Sequence, residues 1–291
     1  MMNKKILITG GAGFTGRHCI EVLSNSEYEI YASYYTRKPG VEKKNVKWFF
    51  LDILDSKATE EAIESIRPNY IINCAWYVEH GKYLTSPLNV KYIYATVYLW
   101  ELFCRFGGSK GIFLGTCLEK KEKGSHYFET IYTQSKIANE KLIRLLNQKY
   151  NIPYVWGRIF GIYGPGEPKQ RIVPHLIDCY SKDIQPEILN PNFYYDYCYV
   201  KNFAWIIQDL LFSNVDGIVD IGESNLISLG SLAKYIHLNF FKNSKAPLIL
   251  NENQNTEYFK PDLTQLNAIE NKSILLSFNN CLEDYIKELS V

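Results

Sequence analysis

Four glycines, Gly10, Gly11, Gly13 and Gly16, stand between the apolar run Ile6-Leu7-Ile8 and a helical pattern over 14–24. No other feature constrains the fold as strongly. In the spacing Gly10-x-x-Gly13-x-x-Gly16, the first glycine permits a tight turn and the middle one lets backbone approach a ligand. The last lets the helix pack closely on the strand. The helix start then offers free N–H groups and a positive dipole end to an anion. Gly10, Gly13, Phe14, Thr15 and Gly16 thus read as a cradle for a dinucleotide pyrophosphate. A glycine-rich turn without a ligand is the plainer alternative.

Behind this loop, short apolar runs at 29–34, 46–51, 70–74, 111–115 and 153–159 alternate with helical patterns at 56–66, 89–106 and 131–150. Such alternation predicts parallel βαβ units and an α/β fold with a doubly wound parallel sheet. After Gly161 the pattern loosens into a Gly/Pro turn at 164–168. Helical patterns follow at 172–181, 200–212 and 228–240, with a short strand at 217–221. The expected division is a dinucleotide-binding domain over 1–165 and a smaller C-terminal substrate-binding lobe over 166–291. Residues from about 196 to 222 would return to the main domain. The cluster Phe193-Tyr-Tyr-Asp-Tyr197 is expected either to pack or to line a pocket.

Composition narrows the partners. Lys and Arg number 32 against 31 Asp and Glu, so bulk charge gives no hold for nucleic acid or a membrane surface. The seven cysteines are scattered without C-x-x-C or a Cys/His cluster, which fits a reducing compartment and neither a disulfide framework nor a metal site. The N-terminal apolar segment is too short for a signal or a membrane span. These features predict a soluble, cytoplasmic protein.

The residues after the second strand bear on the cofactor. An acidic side chain there would bind an adenosine ribose hydroxyl, but Ala32-Ser-Tyr-Tyr-Thr-Arg-Lys38 has none. Arg37 and Lys38 can pair with a 2′-phosphate instead, which favours NADP(H) over NAD(H). A solvated basic turn is the alternative. Asp52, with Ile53 beside it, ends the third strand and can accept from an adenine amino group; Asp55 or Ser56 suits the helix cap better. Cys74 and Ala75 end the fourth strand at the carboxyl edge, where open α/β sheets bind ligands.

Tyr132 and Lys136 lie four apart on one helical face. A neighbouring ammonium, with the positive charge of an oxidised nicotinamide, would favour the phenolate, letting the tyrosine exchange a proton near neutral pH. Thr116, at a strand end, is placed to hydrogen-bond the reacting oxygen. Together the three suit carbonyl/alcohol interconversion coupled to hydride transfer.

With these residues the chain resembles the extended short-chain dehydrogenase/reductases, the NAD(P)-dependent epimerase/dehydratase family acting on nucleotide sugars. Thr9-Gly-Gly-Ala-Gly-Phe-Thr-Gly16 is similar to the family's cofactor loop. Thr116, Tyr132 and Lys136 match its catalytic positions. Arg158–Gly166, Asp196-Tyr-Cys-Tyr-Val200 and Asp220-Ile-Gly-Glu223 resemble its later segments. The family's 4,6-dehydratases carry Asp-Glu after the catalytic Thr. Cys117-Leu118 stand there in this chain, which argues against water elimination. The stretch from Ala75 to Lys82 and Gly115-Thr-Cys-Leu-Glu119 resemble a subgroup near the nucleotide-sugar 4-ketoreductases. The resemblance implies Trp76, at the nicotinamide end, as a cofactor and substrate contact. It implies His80, Lys82, Cys117, Glu119 and Arg171 as substrate contacts. For His80 loop packing, for Glu119 pairing with Lys120 or Lys121, and for Arg171 a surface helix start remain alternatives.

The implied function is NADPH-dependent reduction of the C4 keto group of a nucleotide-linked 4-keto-6-deoxy sugar, in surface polysaccharide biosynthesis. An NAD-dependent nucleotide-sugar 4-epimerase and a non-catalytic binding protein on the same fold are the rivals. The family also implies a homodimer formed through helices 89–106 and 131–150.

Overall fold

The computed structural model describes residues 4–37, 39, 42–120, 129–251 and 256–289. β1 (Lys5–Thr9) leads through the glycine loop into α1 (Phe14–Leu23). There follow β2 (Glu29–Tyr34), β3 (Val46–Phe50), α2 (Ser56–Ile66), β4 (Tyr70–Asn73), α3 (Leu88–Arg105), β5 (Lys110–Thr116), α4 (Ile131–Tyr150) and β6 (Tyr154–Ile159). Beyond these lie β7 (Gly161–Tyr163), α5 (Ile172–Ser181), β8 (Glu187–Ile188), β9 (Phe193–Tyr199), α6 (Val200–Phe212) and β10 (Gly217–Ile221). The chain continues through β11 (Leu226–Ser228), α7 (Leu229–Phe240), β12 (Leu248–Ile249), β13 (Glu257–Phe259), α8 (Thr264–Asn267) and α9 (Phe278–Leu289).

Seven strands form one parallel sheet in the order β10-β6-β5-β4-β1-β2-β3. This is the doubly wound, Rossmann-type sheet that the alternation of the sequence predicts. Strand alternation sorts the side chains between its two faces. Ile6 and Ile8 of β1 enter one core with Cys19 and Ile20 of α1 and Phe203 and Leu210 of α6. Leu7 enters the other, with Ile63 of α2, Leu99 and Trp100 of α3 and Ile143 of α4. The helices begin where side chains can satisfy free N–H groups: Asp55 accepts from Ala58 N at 3.0 Å, and Thr130 accepts from Thr133 N at 3.1 Å. The Thr130 cap sets the start of α4 two residues before Tyr132.

Strand order reverses between β1 and β4, so their carboxyl ends open the crevice in which such sheets hold ligands. β10 and α6 come from the C-terminal half of the chain, β10 pairing with β6 and α6 packing on α1. The remaining C-terminal elements build a second, small core from α5, α7, α9 and β9, including Leu176, Leu232, Leu282 and Tyr199. The tyrosine run of 193–197 lies in β9, flanked by β7, β11 and β13. Its rings stack across the strands, Tyr194 on Tyr258 and Tyr195 on Phe259, each pair 4.9 Å apart. Among the described residues no helix is long and apolar enough to cross a membrane, and no group of three or more His, Cys, Asp or Glu could hold a metal ion.

Candidate functional site

The glycine loop is held by both neighbouring strands. Gly11 N donates to Ser33 O at 2.8 Å and Gly10 N to Ser33 Oγ at 3.2 Å, while Thr9 Oγ1 bonds Asn73 Oδ1. Gly10 has φ +64°, and a Cβ there would lie 2.9 Å from Ala75 N. A Cβ on Gly16 would lie 2.4 Å from Gly10 O, so the helix meets the loop with no room for a side chain. No side chain caps α1, and no acid occupies its first turn. Free N–H groups in a cradle of bare backbone fit a dinucleotide pyrophosphate.

This packing makes Gly16→Ala informative. The obstructing atoms are backbone, so the loop must move. The variant is expected to lose about 1–3 kcal/mol of stability and about tenfold or more in affinity for NAD(P)H, since 1.4 kcal/mol is a factor of ten. Thermal melting with and without NADPH measures both. An unchanged affinity would detach the loop from cofactor binding.

Around the loop, Asp52 is half-buried and accepts from Leu54 N at 2.9 Å, and Ile53 is buried beside Leu51 and Ala95. Arg37 is exposed beyond β2, and Lys38 lies outside the described residues. Arg37 still acts on its surroundings. Burial, and then the Arg37 charge, lower the pKa of the Arg17 guanidinium in α1. Arg17 Nη2 donates to Pro165 O at 2.9 Å, tying α1 to the Gly/Pro turn. Cys74 is half-buried and hydrogen-bonded to the Cys19 thiol, whose pKa is pushed up chiefly by that bond.

Thr116, Tyr132 and Lys136 come together at the carboxyl end of β5, all three buried. The Thr116 side chain acts on the Tyr132 hydroxyl, opposing in part the rise that burial causes. Lys136 Nζ donates to Leu114 O at 2.7 Å and sits 3.6 Å from the Trp76 ring centroid. Trp76 is fixed in turn by its Nε1, which donates to Asn89 Oδ1 at 2.8 Å. The phenol is held well above its ordinary value, first by burial and then by Tyr83 and Glu119.

The other candidate residues divide. Cys117 is buried, its Sγ 3.3 Å from Tyr195 Oη, and burial pushes its thiol up to about 12. Arg171 starts α5, 3.6 Å from Glu167, with its charge acting on Tyr83 and Tyr197. His80 is exposed, and Lys82 is exposed and paired with Glu79. Glu119 does not pair with Lys120. Its Oε1 accepts from Thr116 N at 2.7 Å and its Oε2 from Trp156 Nε1 at 2.9 Å. Lys120 bonds Asp220 instead, at 2.8 Å, and Lys121 lies outside the described residues.

Two residues at this centre carry no sequence signal. Tyr83 packs edge-on against Tyr132 at 4.8 Å, and its neighbour Leu84 accepts from Tyr132 N at 3.1 Å. Trp156 reaches Glu119 from the adjacent strand β6. Both lie in stretches whose composition is ordinary for a loop and a buried strand, so only the three-dimensional arrangement identifies them.

The chain is similar to known proteins across most of its length. A dTDP-D-glucose 4,6-dehydratase of Dictyostelium discoideum is 26% identical over 60% of this chain and 48% of its own length. The chain thus spans about half of that relative. A dTDP-4-dehydro-6-deoxyglucose reductase of Escherichia coli is 25% identical over 83% of each chain. Among solved structures, a UDP-N-acetylglucosamine 4-epimerase from Methanobrevibacter ruminantium M1 superposes with a TM-score of 0.83 at 18% identity, covering 100% of this chain and 99% of its own. That likeness establishes the fold. The sequence profile of the NAD dependent epimerase/dehydratase family matches residues 6–222 of the 291, from β1 past the end of β10, and the chain belongs to that family.

Proposed function

We propose that this chain is an NADPH-dependent reductase of the C4 keto group of a nucleotide-linked 4-keto-6-deoxy sugar, acting in surface polysaccharide biosynthesis. One observation carries the reading. Thr116, Tyr132 and Lys136 lie buried at the carboxyl end of β5, with Cys117 and Leu118, and no carboxylate, in the two positions after Thr116. Water elimination needs an acid and a base at the sugar, and neither position supplies one.

Bound in the crevice, the nicotinamide supplies the hydride. The chain's own residues do the rest. Thr116 and Tyr132 orient the sugar oxygen, Tyr132 delivers a proton to it, and Lys136 holds a positive charge beneath the reacting centre. A phenol held neutral by burial suits delivery and opposes removal. Cys74, Ala75 and Trp76 would form the nicotinamide wall, and Asp52 and Ile53 the adenine end. The lack of an acid after β2, and the two cations Arg17 and Arg37, favour NADP(H).

We place the substrate in the cleft between the main sheet and the C-terminal lobe, with the boundary near residue 165. The second core of α5, α7 and α9 supports that division. In this reading Cys117, Arg171 and the unforeseen Tyr83 would contact the sugar or diphosphate, and His80 and Lys82 would stand at the rim. Exposed Val90 and Tyr94 of α3 and Leu142 and Leu145 of α4 are compatible with a homodimer.

The test is NADPH oxidation by CDP-, dTDP- and GDP-linked 4-keto-6-deoxyhexoses, with NADH compared in parallel. Steady consumption with one of them, faster with NADPH, is the expected result. No consumption with any would sink the reading. Tightly retained NAD with interconversion of C4 epimers would support the epimerase of the same family instead.

A further inference from the structure

Buried charges need partners. An ammonium removed from water without one loses its proton or destabilises the fold. Lys136 is 4% exposed and donates only to Leu114 O among the described residues, with no carboxylate within salt-bridge reach. The groups facing it are few. Tyr132 lies on its own helix, Cys74 at the end of β4, the Trp76 ring at 3.6 Å and the Trp156 ring at 5.9 Å. Glu119, in the turn after β5, is the carboxylate that acts on it.

Glu119 is built into this place. One oxygen accepts from Thr116 N and the other from Trp156 Nε1, so the carboxylate grips both the end of β5 and the indole beside Lys136. A Cβ on Gly115 would lie 2.7 Å from Glu119 Oε1 and 2.3 Å from Trp156 Nε1, so the glycine is what allows the approach. Arg158 of β6 and Cys117 also face the carboxylate, but Arg158 is bound to Asp220 at 2.7 Å. An indole whose N–H is given to a carboxylate has a more electron-rich face, which strengthens its attraction for an ammonium.

We infer that Glu119 is a positioning residue: it fixes the Thr116 backbone and the Trp156 indole and is the buried acidic partner that faces Lys136 from beyond that ring. This takes Glu119 out of direct sugar contact. The inference rests on the reading of Tyr132 and Lys136 above for its catalytic meaning, though its test does not. The direction follows from the surroundings. Burial lowers the Lys136 ammonium, and the Glu119 carboxylate is the larger influence opposing that, ahead of Cys74.

The experiment observes Lys136 in the full chain without substrate. Lysine isotopically labelled at Cε is incorporated, and the Lys136 resonance is assigned by its loss in Lys136→Met. In Glu119→Gln the midpoint of Lys136 titration is expected to fall by about one pH unit. Superimposable titrations overturn the inference. A merely structural role would lower thermal stability and leave that midpoint in place. Should Glu119→Gln fail to fold, the coupling is read from its other side, since it is reciprocal. The Glu119 carboxyl carbon, assigned through Glu119→Asp, should titrate higher in Lys136→Met than in the parent, and an unmoved midpoint again overturns the inference. Because neither reading uses turnover, failure of the reductase assay and failure of this coupling are separate results.

Discussion

Tyr132→Phe is expected to lower kcat for sugar reduction by about a hundred- to ten-thousand-fold, the range of a positioned general acid. NADPH affinity should stay within about twofold, well under the 1.4 kcal/mol that a factor of ten represents. The ring itself is held by packing. It meets Tyr83 edge-on at 4.8 Å and Trp76 at 6.4 Å, and both contacts survive loss of the hydroxyl. What disappears is the hydroxyl that would donate the proton. Turnover and cofactor titration on the same preparation check the split. A variant that retains most of its kcat would move the proton source elsewhere and leave Tyr132 a packing residue. A variant that loses NADPH binding would show that the phenol positions the cofactor first.

This centre shows how far the sequence reaches. Tyr132 and Lys136 are legible because a helix turns them to one side at i, i+4, and the pattern over 131–150 matches α4 residue for residue. Helices α2, α5 and α6 are equally well bounded, each carrying a strong apolar stripe ended by a cap or a turn. The glycine loop is legible because its residues are adjacent. The strands of the C-terminal lobe are not. β7, β8, β11, β12 and β13 have two or three residues each, too few for any period to register. β9 was hidden by its own composition, since a run of tyrosines states that rings will pack without stating on what. The pairing of Glu119 with Trp156 spans 37 residues and joins a turn to a neighbouring strand, so no local spacing encodes it. Proximity in a helix fixes which face a lysine shares, while burial and the other bonds of its ammonium decide what it does.

Asp220→Ala is expected to cost about 3 kcal/mol of stability, the lower part of the range for breaking a buried ion pair from one side. Asp220 is 2% exposed. Its Oδ1 accepts from Arg158 Nε at 2.7 Å, and its Oδ2 from Lys120 Nζ and Asp262 N, both at 2.8 Å. One carboxylate therefore joins β10, β6, the turn after β5 and the segment leading into α8. The lower part of the range applies because the Arg158 and Lys120 side chains keep 23% and 20% of their surface, so water screens part of the loss. At about 2–4 °C per kcal/mol for a chain of this size, the melting temperature should fall by about 6–12 °C. The cost is mostly that of stranding Arg158, so removing the cation as well should recover part of it. Arg158→Met in the Asp220→Ala background is expected to melt above Asp220→Ala alone, whereas strictly additive losses would show that the carboxylate acts through Lys120 and the Asp262 backbone rather than through Arg158. The same pair bears on the reacting centre. Arg158, while held by Asp220, also acts on Glu119, opposing the burial that raises that carboxyl.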